Sequence, residues 1–560
     1  MCSSDLGPLP PGPHVLAAVA RHLGSQAEVS QIGLAGGFLL AAEPPFDQML
    51  DTGTPDSQWL CTRDVSHQPG PQFYGGSFFR ALVTETIDGR LARWDFSSVE
   101  CDVTGWVQPR TILAAEPRGL LDHGGPWWLV PDPLPEMEYR QERFERVARI
   151  QGGDATAWQD LVRRQKPLTV PANTTVKVVL DRSHLTNAYP MLVISGGAGS
   201  QIDTTWSEAA IDEKTHAKGN RNDIEGKRIV GHQDRFLPDG GSHRAFETFW
   251  FRPFRYCELT VRTADEPLTI ERFDLHFTGY PFEQKATFQP EGPDLGLSRI
   301  RELGWRTLRL CAHETFYDCP HYEQLQYVGD TRIMQVITYL ESGDDRLARK
   351  AIDDFHSSRL PDGLTSSRWP CRLRQVIPTF SLYWIGMLHD FWRYRGDLKF
   401  LKGYLPTARG VLDWFEGRLE ANNLLGPLTY WDFCDWTKGW SHGVPPGGDE
   451  GGSALISLLF AQALSWSADL HEVLGKPSRT EEMRVLRQRI EAAVREHCWD
   501  PPRQAFADTP ERKSFSVHVQ IQAVLNGLVT GGAAKELLLR SVPDLGGPAE
   551  FTPLGTPYWY

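Results

Sequence analysis

The chain has 560 residues, and its 58 Lys and Arg against 71 Asp and Glu give a net charge of −13 with 41% apolar residues. This composition is typical of a globular protein of three or four domains. The acidic balance, with no run of Lys or Arg, excludes a footprint for nucleic acid or for an anionic membrane. The longest uncharged apolar stretch, Ala454–Leu464, is shorter than the ~20 residues that cross a bilayer, so it predicts a buried helix.

Four segments are predicted ahead of the helical part of the chain, two of them domains. Residues 1–27 begin Pro-rich and are predicted to be a disordered or artefactual N-terminus; no export signal is visible, so the localisation stays unknown. Residues 28–135 alternate short apolar segments with Gly and Pro, which predicts an N-terminal β-sandwich-like domain. A polar stretch, 136–165, is predicted as a linker, and 166–288 as an accessory β-sandwich (jelly-roll-like) domain.

After Pro290 the apolar period changes to that of helices. One helical face runs through Leu297–Cys311 and a second through Ile333–Leu340. Further helices are predicted at about 344–358, 378–395, 398–420, 453–474, 479–498, 514–529 and 532–541, which makes nine. Because no strands intervene, these helices must pack on one another as a bundle, a solenoid or a closed α/α barrel. Residues 289–560 are therefore predicted to form one helical domain.

The densest polar motif runs from Tyr317 to Arg332 and reads YDCPHYEQLQYVGDTR. Three acids of this motif, Asp318, Glu323 and Asp330, lie within a span of thirteen residues. Pro320 prevents the motif from forming a regular helix. One interpretation is a solvated loop with helix-capping aspartates. The other is a catalytic loop, since interleaved aromatic residues would partly desolvate the acids. A desolvated carboxyl beside other carboxylates has a raised pKa, as a general acid for glycosidic cleavage requires.

This motif resembles the acidic loop of the α-L-rhamnosidases of glycoside hydrolase family 78, and with the preceding β-region the resemblance covers about 165–560. It implies an (α/α)6 six-hairpin barrel behind β-sandwich domains. It also implies that Glu323 is the general acid and that Asp318 and Asp330 hold sugar hydroxyls. Three more residues of the motif are candidate substrate-binding residues: Tyr322, Tyr327, which stands where the family commonly has Trp, and Arg332.

Two later stretches fit the same resemblance. The sequence from Trp431 to Trp436 resembles the Gly-Asp-Trp loop of the family and implies that Asp435 and Trp436 bind substrate. Phe380 stands where the family often has an aromatic wall of the sugar pocket. For Trp436 and Phe380, packing in the core is the competing interpretation.

The resemblance predicts a glycosidase that releases terminal α-L-rhamnose with inversion, acts on a carbohydrate partner and needs no metal or organic cofactor. The nine cysteines include no CxxC pair, so a site that binds a metal through clustered cysteines is not expected. Two alternatives stay open: an α/α-barrel glycosidase for another deoxy-sugar or a uronic acid, and a non-catalytic carbohydrate-binding protein. The oligomeric state is unknown.

A six-hairpin barrel needs twelve helices, and only nine are predicted here. In the family a segment like Gly555–Tyr558 precedes the catalytic base, a Glu, by some tens of residues. The general base is therefore expected beyond Tyr560, and not in this chain. The chain is predicted to be a fragment, inactive and poorly soluble by itself, whose barrel lacks its last helices.

Overall fold

A computed structural model describes residues 11–22, 24, 27–33, 36–44, 46–54, 57–71, 83–113, 116–117, 128–542, 546–547 and 550–556. The chain divides into two compact units. The first unit comprises 1–281 together with 309–314 and 319–324, and the second comprises 282–308, 315–318 and 325–560. The acidic motif is thus shared: Glu323 belongs to the first unit, while Asp318 and Asp330 belong to the second.

Strands dominate the first unit. In chain order the strands of the described residues are β1 (His67–Pro69), β2 (Glu85–Asp88), β3 (Glu116–Pro117), β4 (Trp128–Leu129), β5 (Arg140–Glu142), β6 (Arg146–Gln151), β7 (Leu168–Val170), β8 (Thr175–Gly196), β9 (Gln201–Ser207), β10 (Ala210–Asp212), β11 (Lys227–Ile229), β12 (His232–Leu237), β13 (Arg244–Glu247), β14 (Arg252–Arg262), β15 (Leu268–Phe277), β16 (Trp499–Asp500) and β17 (Ala505–Phe506), of which β16 and β17 belong to the second unit.

The large sheet of the first unit is organised around the long strand β8. The order β1-β2-β12-β9-β14-β8-β15-β5 is extended by β6 and β13, which pair with β8, and by β7, which pairs with β15. β14 pairs with β8 from Thr175 to Ala188, and β15 pairs with it from Ala188 to Gly196. β8 therefore changes neighbours midway and connects both parts of the sheet.

The core of this unit is aromatic. Trp206 of β9 contacts Phe254 of β14 with ring centroids 4.6 Å apart, and Phe144 packs against both Phe254 and Phe273. All four side chains are at most 2% exposed. Alternating inward-facing residues on antiparallel strands bury such a core on one face of each strand.

Helices dominate the second unit. The helices of the described residues are α1 (Asp47–Leu50), α2 (Ala155–Arg164), α3 (Leu297–Leu310), α4 (Val328–Glu341), α5 (Arg346–Ser357), α6 (Pro378–Arg395), α7 (Leu398–Leu401), α8 (Leu405–Glu416), α9 (Ala454–Val473), α10 (Pro477–Cys498), α11 (Val517–Leu525) and α12 (Gly531–Ser541), of which α1 and α2 belong to the first unit. Short 3-10 helices span Lys402–Tyr404 and Ser441–Gly443.

The centre of the second unit is formed by α6 and α9, which are buried on most of their surface. α9 starts at Ser453, whose side chain accepts a hydrogen bond from the amide of Ile456, as N-cap residues do. It covers the apolar stretch Ala454–Leu464, so the prediction of a buried helix there is confirmed. None of the helices in the described ranges is long and apolar enough to cross a membrane.

A β-rich N-terminal part followed by a helical part is the fold class that the sequence predicted, and it is confirmed. The predicted linker 136–165 is wrong, because it contains β5, β6 and α2. β6 pairs with β8 over Lys177–Asp181, which gives this polar segment a place in the sheet. β1 and β2, from the predicted domain 28–135, belong to the same sheet. Residues 1–10 of the predicted N-terminal segment lie outside the described residues, and the other predicted boundaries stay predictions.

Candidate active site

Glu323 lies in a short loop of the first unit, residues 319–324, which we call the acid loop. The carboxylate-bearing side chain is half-buried. Its neighbour Tyr322 donates a hydrogen bond from its hydroxyl to Oε1 of Glu208 at 3.0 Å and accepts one from Lys218. The Tyr322 hydroxyl, predicted from sequence to bind substrate, is thus already engaged by two protein groups.

The residues on either side of the acid loop are joined to each other within the second unit. The amide of Asp318 donates to the carbonyl of Leu325 at 2.8 Å, and the amide of Leu325 donates to Oδ1 of Asp318 at 3.0 Å. The Asp318 carboxylate is half-buried and keeps further acceptor sites, since an ionised carboxylate has about four.

Asp330 lies in the first turn of α4, whose N-cap residue is Tyr327. Asp330 is therefore not the N-cap, although the capping interpretation of the sequence allowed it. A carboxylate in the first turn is stabilised in its charged form by the positive end of the helix dipole. Its side chain is half-buried at this end of the helix.

Tyr327 connects the end of the acidic motif to a second loop. Nη1 of Arg368 donates to the Tyr327 hydroxyl at 2.7 Å, and the guanidinium lies 5.5 Å from the ring centroid. Arg368 is 7% exposed. The hydrogen bond and the guanidinium over the ring together restrict the rotation of the Tyr327 side chain.

An aromatic series runs from Tyr327 to the second predicted loop. Phe380, in the first turn of α6, lies 6.4 Å from Tyr327 and 6.0 Å from Phe433 between ring centroids. Phe433 in turn lies 5.0 Å from Trp436 and 5.0 Å from Trp431. The structure therefore brings three sequence-predicted residues, Tyr327, Phe380 and Trp436, into one series within the second unit.

Burial separates the members of this series. Phe380 is 2% exposed, whereas Trp436 is 53% exposed. An exposed indole that packs by its edge on other rings can offer a face to a ligand, and a buried phenyl group cannot. The geometry therefore agrees with the core interpretation for Phe380 and with the ligand interpretation for Trp436.

Asp435 is fully buried and holds three parts of the second unit together. Its Oδ2 accepts hydrogen bonds from Nε2 of His518 and from the amide of Gly555, both at 2.7 Å, and its Oδ1 accepts one from Thr556. Burial alone would raise the pKa of Asp435, but these hydrogen bonds outweigh it and keep the pKa below its ordinary value.

The approach of Gly555 to this loop requires glycine. A Cβ at this position would lie 1.7 Å from the carbonyl oxygen of Trp436, so any larger residue would displace the backbone. Thr437 adds a hydrogen bond to the carbonyl of Pro553 at 2.5 Å. The segment around Gly555 is thus seated on the loop that carries Trp436.

Arg332 of α4 is engaged inside the second unit. Its Nε donates to Oδ2 of Asp390 at 2.8 Å, and its guanidinium lies 4.4 Å from the ring centroid of Trp466. These contacts give the Arg332 side chain a structural role, because they connect α4 with α6 and α9. Its role in substrate binding stays a prediction.

Asp432 is a functional candidate that the sequence reasoning missed. It is 1% exposed, and neither carboxylate oxygen has a hydrogen-bond partner among the described residues. Burial, with a smaller contribution from the charge of Asp449, raises its pKa to about 7. A partial signal is present in the sequence, because Asp432 lies in the same motif as Asp435, but spacing cannot show which of the two acids lacks hydrogen-bond partners.

Glu208, Lys218 and Arg368 were also missed as partners of predicted residues. Glu208 and Tyr322 are 114 positions apart in the chain, so no local pattern could have joined them. No group of three or more His, Cys, Asp or Glu side chains in the described part of the chain could hold a metal ion.

The helical unit and the acidic motif ahead of α4 define the class of protein, a glycosidase built from helical hairpins. Residues 283–540 match the family described as the bacterial alpha-L-rhamnosidase six-hairpin glycosidase domain. The acidic motif predicted this family, and the match covers the helical part of the chain. No curated protein matches the chain in sequence.

Solved structures of rhamnosidases share the fold. The rhamnosidase of glycoside hydrolase family 78 from Bacillus sp. GL1 is similar with a TM-score of 0.72 at 16% identity, over 88% of this chain and 71% of its own. The rhamnosidase from Klebsiella oxytoca with rhamnose bound gives 0.61 at 17%, over 75% and 82%. The Streptomyces avermitilis α-L-rhamnosidase complexed with L-rhamnose gives 0.56 at 18%, over 85% of this chain and 41% of its own.

Proposed function

We propose that the protein is an inverting glycoside hydrolase that releases terminal α-L-rhamnose from rhamnosides, with Glu323 as the general acid. The match of residues 283–540 to the rhamnosidase domain carries this proposal. The spacing of Asp318, Glu323 and Asp330 within that match supports the assignment of roles. The half-buried position of Glu323 is compatible with a carboxyl that must keep a proton yet reach a substrate.

In the reaction Glu323 donates its proton to the glycosidic oxygen as the bond from that oxygen to the anomeric carbon breaks. A second carboxylate removes a proton from water, which attacks the opposite face of the anomeric carbon. In inverting enzymes the two carboxyl groups are ~6.5–9.5 Å apart, which leaves room for this water.

The remaining candidates hold the sugar. Asp318 and Asp330 are proposed to accept hydrogen bonds from sugar hydroxyls, because both are half-buried acids and Asp330 lies at the positive end of α4. The exposed face of Trp436 is proposed to stack on an apolar face of the sugar. Tyr327, held by Arg368, is proposed to border the same sugar.

The test is cleavage of aryl α-L-rhamnosides by the full chain with sodium azide present. Azide attacks the anomeric carbon without help from a base, so cleavage does not depend on where the base lies. We expect release of the phenol and formation of β-L-rhamnosyl azide, the inverted product, which proton NMR identifies. Formation of the α-azide would contradict inversion.

The role of Glu323 is tested with Glu323→Gln against Glu314→Gln, an exposed acid of the same unit. Loss of a general acid lowers turnover by about 10²–10⁴-fold when the leaving group is poor. Activated aryl rhamnosides need little proton donation and should lose far less. If both substrates are cleaved as in the unchanged protein, Glu323 is not the acid.

The same assay separates the alternatives. Cleavage of an aryl α-L-fucoside or of an aryl uronide in preference to the rhamnoside would reassign the sugar. Binding of L-rhamnose in calorimetry without any cleavage in azide would indicate a carbohydrate-binding protein.

A further inference from the structure

The two neighbours of Glu323 in the chain are both held by side chains from segments that connect strands of the first unit. On one side, Tyr322 is bound by Glu208 and Lys218, and the Lys218 ammonium also lies 4.5 Å from the Tyr322 ring centroid. On the other side, Oε1 of Gln324 accepts a hydrogen bond from the indole Nε1 of Trp250 at 2.8 Å. Glu323 is thus bracketed by two anchored residues.

The acid loop has a third anchor and an internal closure. Nδ1 of the buried His321 donates to the carbonyl of Pro253 on β14 at 2.8 Å, and burial lowers the pKa of His321, so the ring is neutral at neutral pH. Nε2 of Gln324 donates to the carbonyl of Pro320 at 2.9 Å. Three of the six residues in the loop are therefore fixed to other parts of the first unit.

The anchoring groups are themselves rigid. Glu208 follows β9 directly, and its side chain is 12% exposed. The carbonyl of Trp250 accepts a hydrogen bond from Arg252 at 2.8 Å. Arg252 is 1% exposed and forms an ion pair at 2.7 Å with the fully buried Asp234 of β12. The indole of Trp250 is therefore placed by groups that are locked into the sheet.

Gln324 has a backbone φ of +54°, in the left-handed region that residues other than glycine rarely adopt. Such a conformation is strained and persists only where the surroundings impose it. The strained residue directly follows Glu323. Its side chain is bound at both ends, which is the arrangement that can impose this conformation.

The pairing of Glu208 with Lys218 is by itself weak evidence of a purely stabilising role. Burying a charged pair such as Glu208 and Lys218 costs desolvation that often exceeds the gain from their attraction. Burial alone would raise the pKa of Glu208, but the hydrogen bond from Lys218 and nearby positive charge outweigh it and lower the pKa. Glu208 is therefore charged, and its charge is directed at the residue beside Glu323.

We propose that Glu208 and Trp250 are positioning residues for Glu323: through Tyr322 and Gln324 they fix the direction in which the acid presents its proton to the glycosidic oxygen. This inference rests on the proposed role of Glu323 as general acid. A displacement of about 1 Å at a catalytic group can cost about 10²-fold in rate, and loops hold such groups accurately only when supporting contacts lock them.

The proposal predicts a loss that depends on the leaving group. Glu208→Gln removes the charge that holds Lys218, and Trp250→Phe removes the indole N–H while keeping an aromatic ring. Each should lower cleavage of a rhamnoside with a poor leaving group by about 10- to 100-fold. Cleavage of an activated aryl rhamnoside and the Kd for L-rhamnose should change less than about 3-fold, because neither depends on the proton.

The experiment measures cleavage in azide across aryl α-L-rhamnosides of graded phenol pKa, together with calorimetric binding of L-rhamnose and the melting temperature. Glu213→Gln is the matched control, since Glu213, directly after β10, forms an exposed ion pair with Arg228 of β11. It should change none of these quantities. Tyr322→Phe is a further arm: as an anchor it shifts the leaving-group dependence, and as a sugar ligand it raises the Kd.

Two results would overturn the inference, and they are distinguishable. If Glu323→Gln steepens the dependence on leaving group while Glu208→Gln and Trp250→Phe leave it unchanged, the proposed function stands and the positioning role is wrong. If Glu323→Gln itself leaves the dependence unchanged, the proposed acid is wrong and the positioning role falls with it. Uniform losses on all substrates with a lowered melting temperature would reassign both residues to folding.

Discussion

Replacement of Asp432 by asparagine should remove a pH dependence from the stability of the helical unit. The carboxyl group of Asp432 is 1% exposed and has no hydrogen-bond partner among the described residues. Burial, followed by the charge of Asp449, raises its pKa from 3.8 to about 7. A carboxyl in this environment is protonated in the folded protein at a pH where the unfolded chain has already released the proton.

The sign and size follow from this difference. Between about pH 4 and pH 7 the folded state binds more protons at Asp432 than the unfolded state does, so the free energy of unfolding falls as the pH rises. About three pH units at ~1.4 kcal/mol each give about 4 kcal/mol, lost by pH 7 and constant above it. Asparagine does not titrate, so Asp432→Asn lacks this loss.

The measurement is urea unfolding of both proteins at pH 4.5 to 8.5. Hydrogen exchange of the α9 amides monitors the transition, so that the measured unfolding is that of the helical unit. The stability of Asp432→Asn relative to the unchanged protein should rise with pH by a few kcal/mol. A constant cost of the buried amide cancels from this trend. Asp449→Asn is the control and should keep most of the dependence, because burial contributes more than the Asp449 charge. A difference that does not vary with pH would refute the reasoning.

Three further predictions concern the candidate site. Trp436→Ala should weaken binding of L-rhamnose in calorimetry and leave the melting temperature within a few degrees, because the ring is 53% exposed; Phe380→Ala, at 2% exposed, should instead cost about 3–5 kcal/mol of stability. Asp318→Asn and Asp330→Asn should each lower kcat/KM through weaker hydroxyl bonds, and unchanged kcat and KM in both would remove them from the site. Asp435→Asn should cost about 2–5 kcal/mol in thermal or urea unfolding at pH 7. Because hydrogen bonds keep the pKa of Asp435 below 3.8, the stability it contributes is present above about pH 4 and is lost as the pH falls through the folded pKa.

The helical part of the fold could be predicted closely from apolar periodicity. The helix predicted at 378–395 coincides with α6, and that predicted at 453–474 with α9. The single helix predicted at 398–420 is instead α7, a 3-10 turn and α8. Pro406 lies at the start of α8, where its missing N–H is harmless. It could have indicated the new helix start, since proline interrupts a helix at interior positions.

The sheet was harder to predict because its partners are distant in sequence. β8 is one strand of 22 residues. Its two halves pair with different neighbours, β14 and β15. Strand pairing depends on such long-range partners, which periodicity cannot reveal, and this is also why the polar composition of 136–165 predicts a linker where the structure has strands.

At the candidate site the sequence could nominate acids but could not state their environments. Asp432 and Asp435 are three positions apart in one motif, and both are buried. One lacks hydrogen-bond partners and has a raised pKa, while the other accepts three hydrogen bonds and has a lowered pKa. Residue type and spacing are the same kind of information for both. The difference arises from groups elsewhere in the chain, such as His518, that folding brings to one of them only.

The same limit explains why Glu323 could be nominated while its supports could not. A short sequence pattern is enough to nominate a catalytic acid, and the acidic motif contains such a pattern within a few residues. Its orientation needs a rigid frame, and here that frame comes from Glu208 and Trp250, more than 70 positions earlier in the chain. A motif therefore identifies the chemistry of a loop, whereas the accuracy with which the loop performs it depends on the fold. Variants of the frame should for this reason alter the leaving-group dependence without altering the motif.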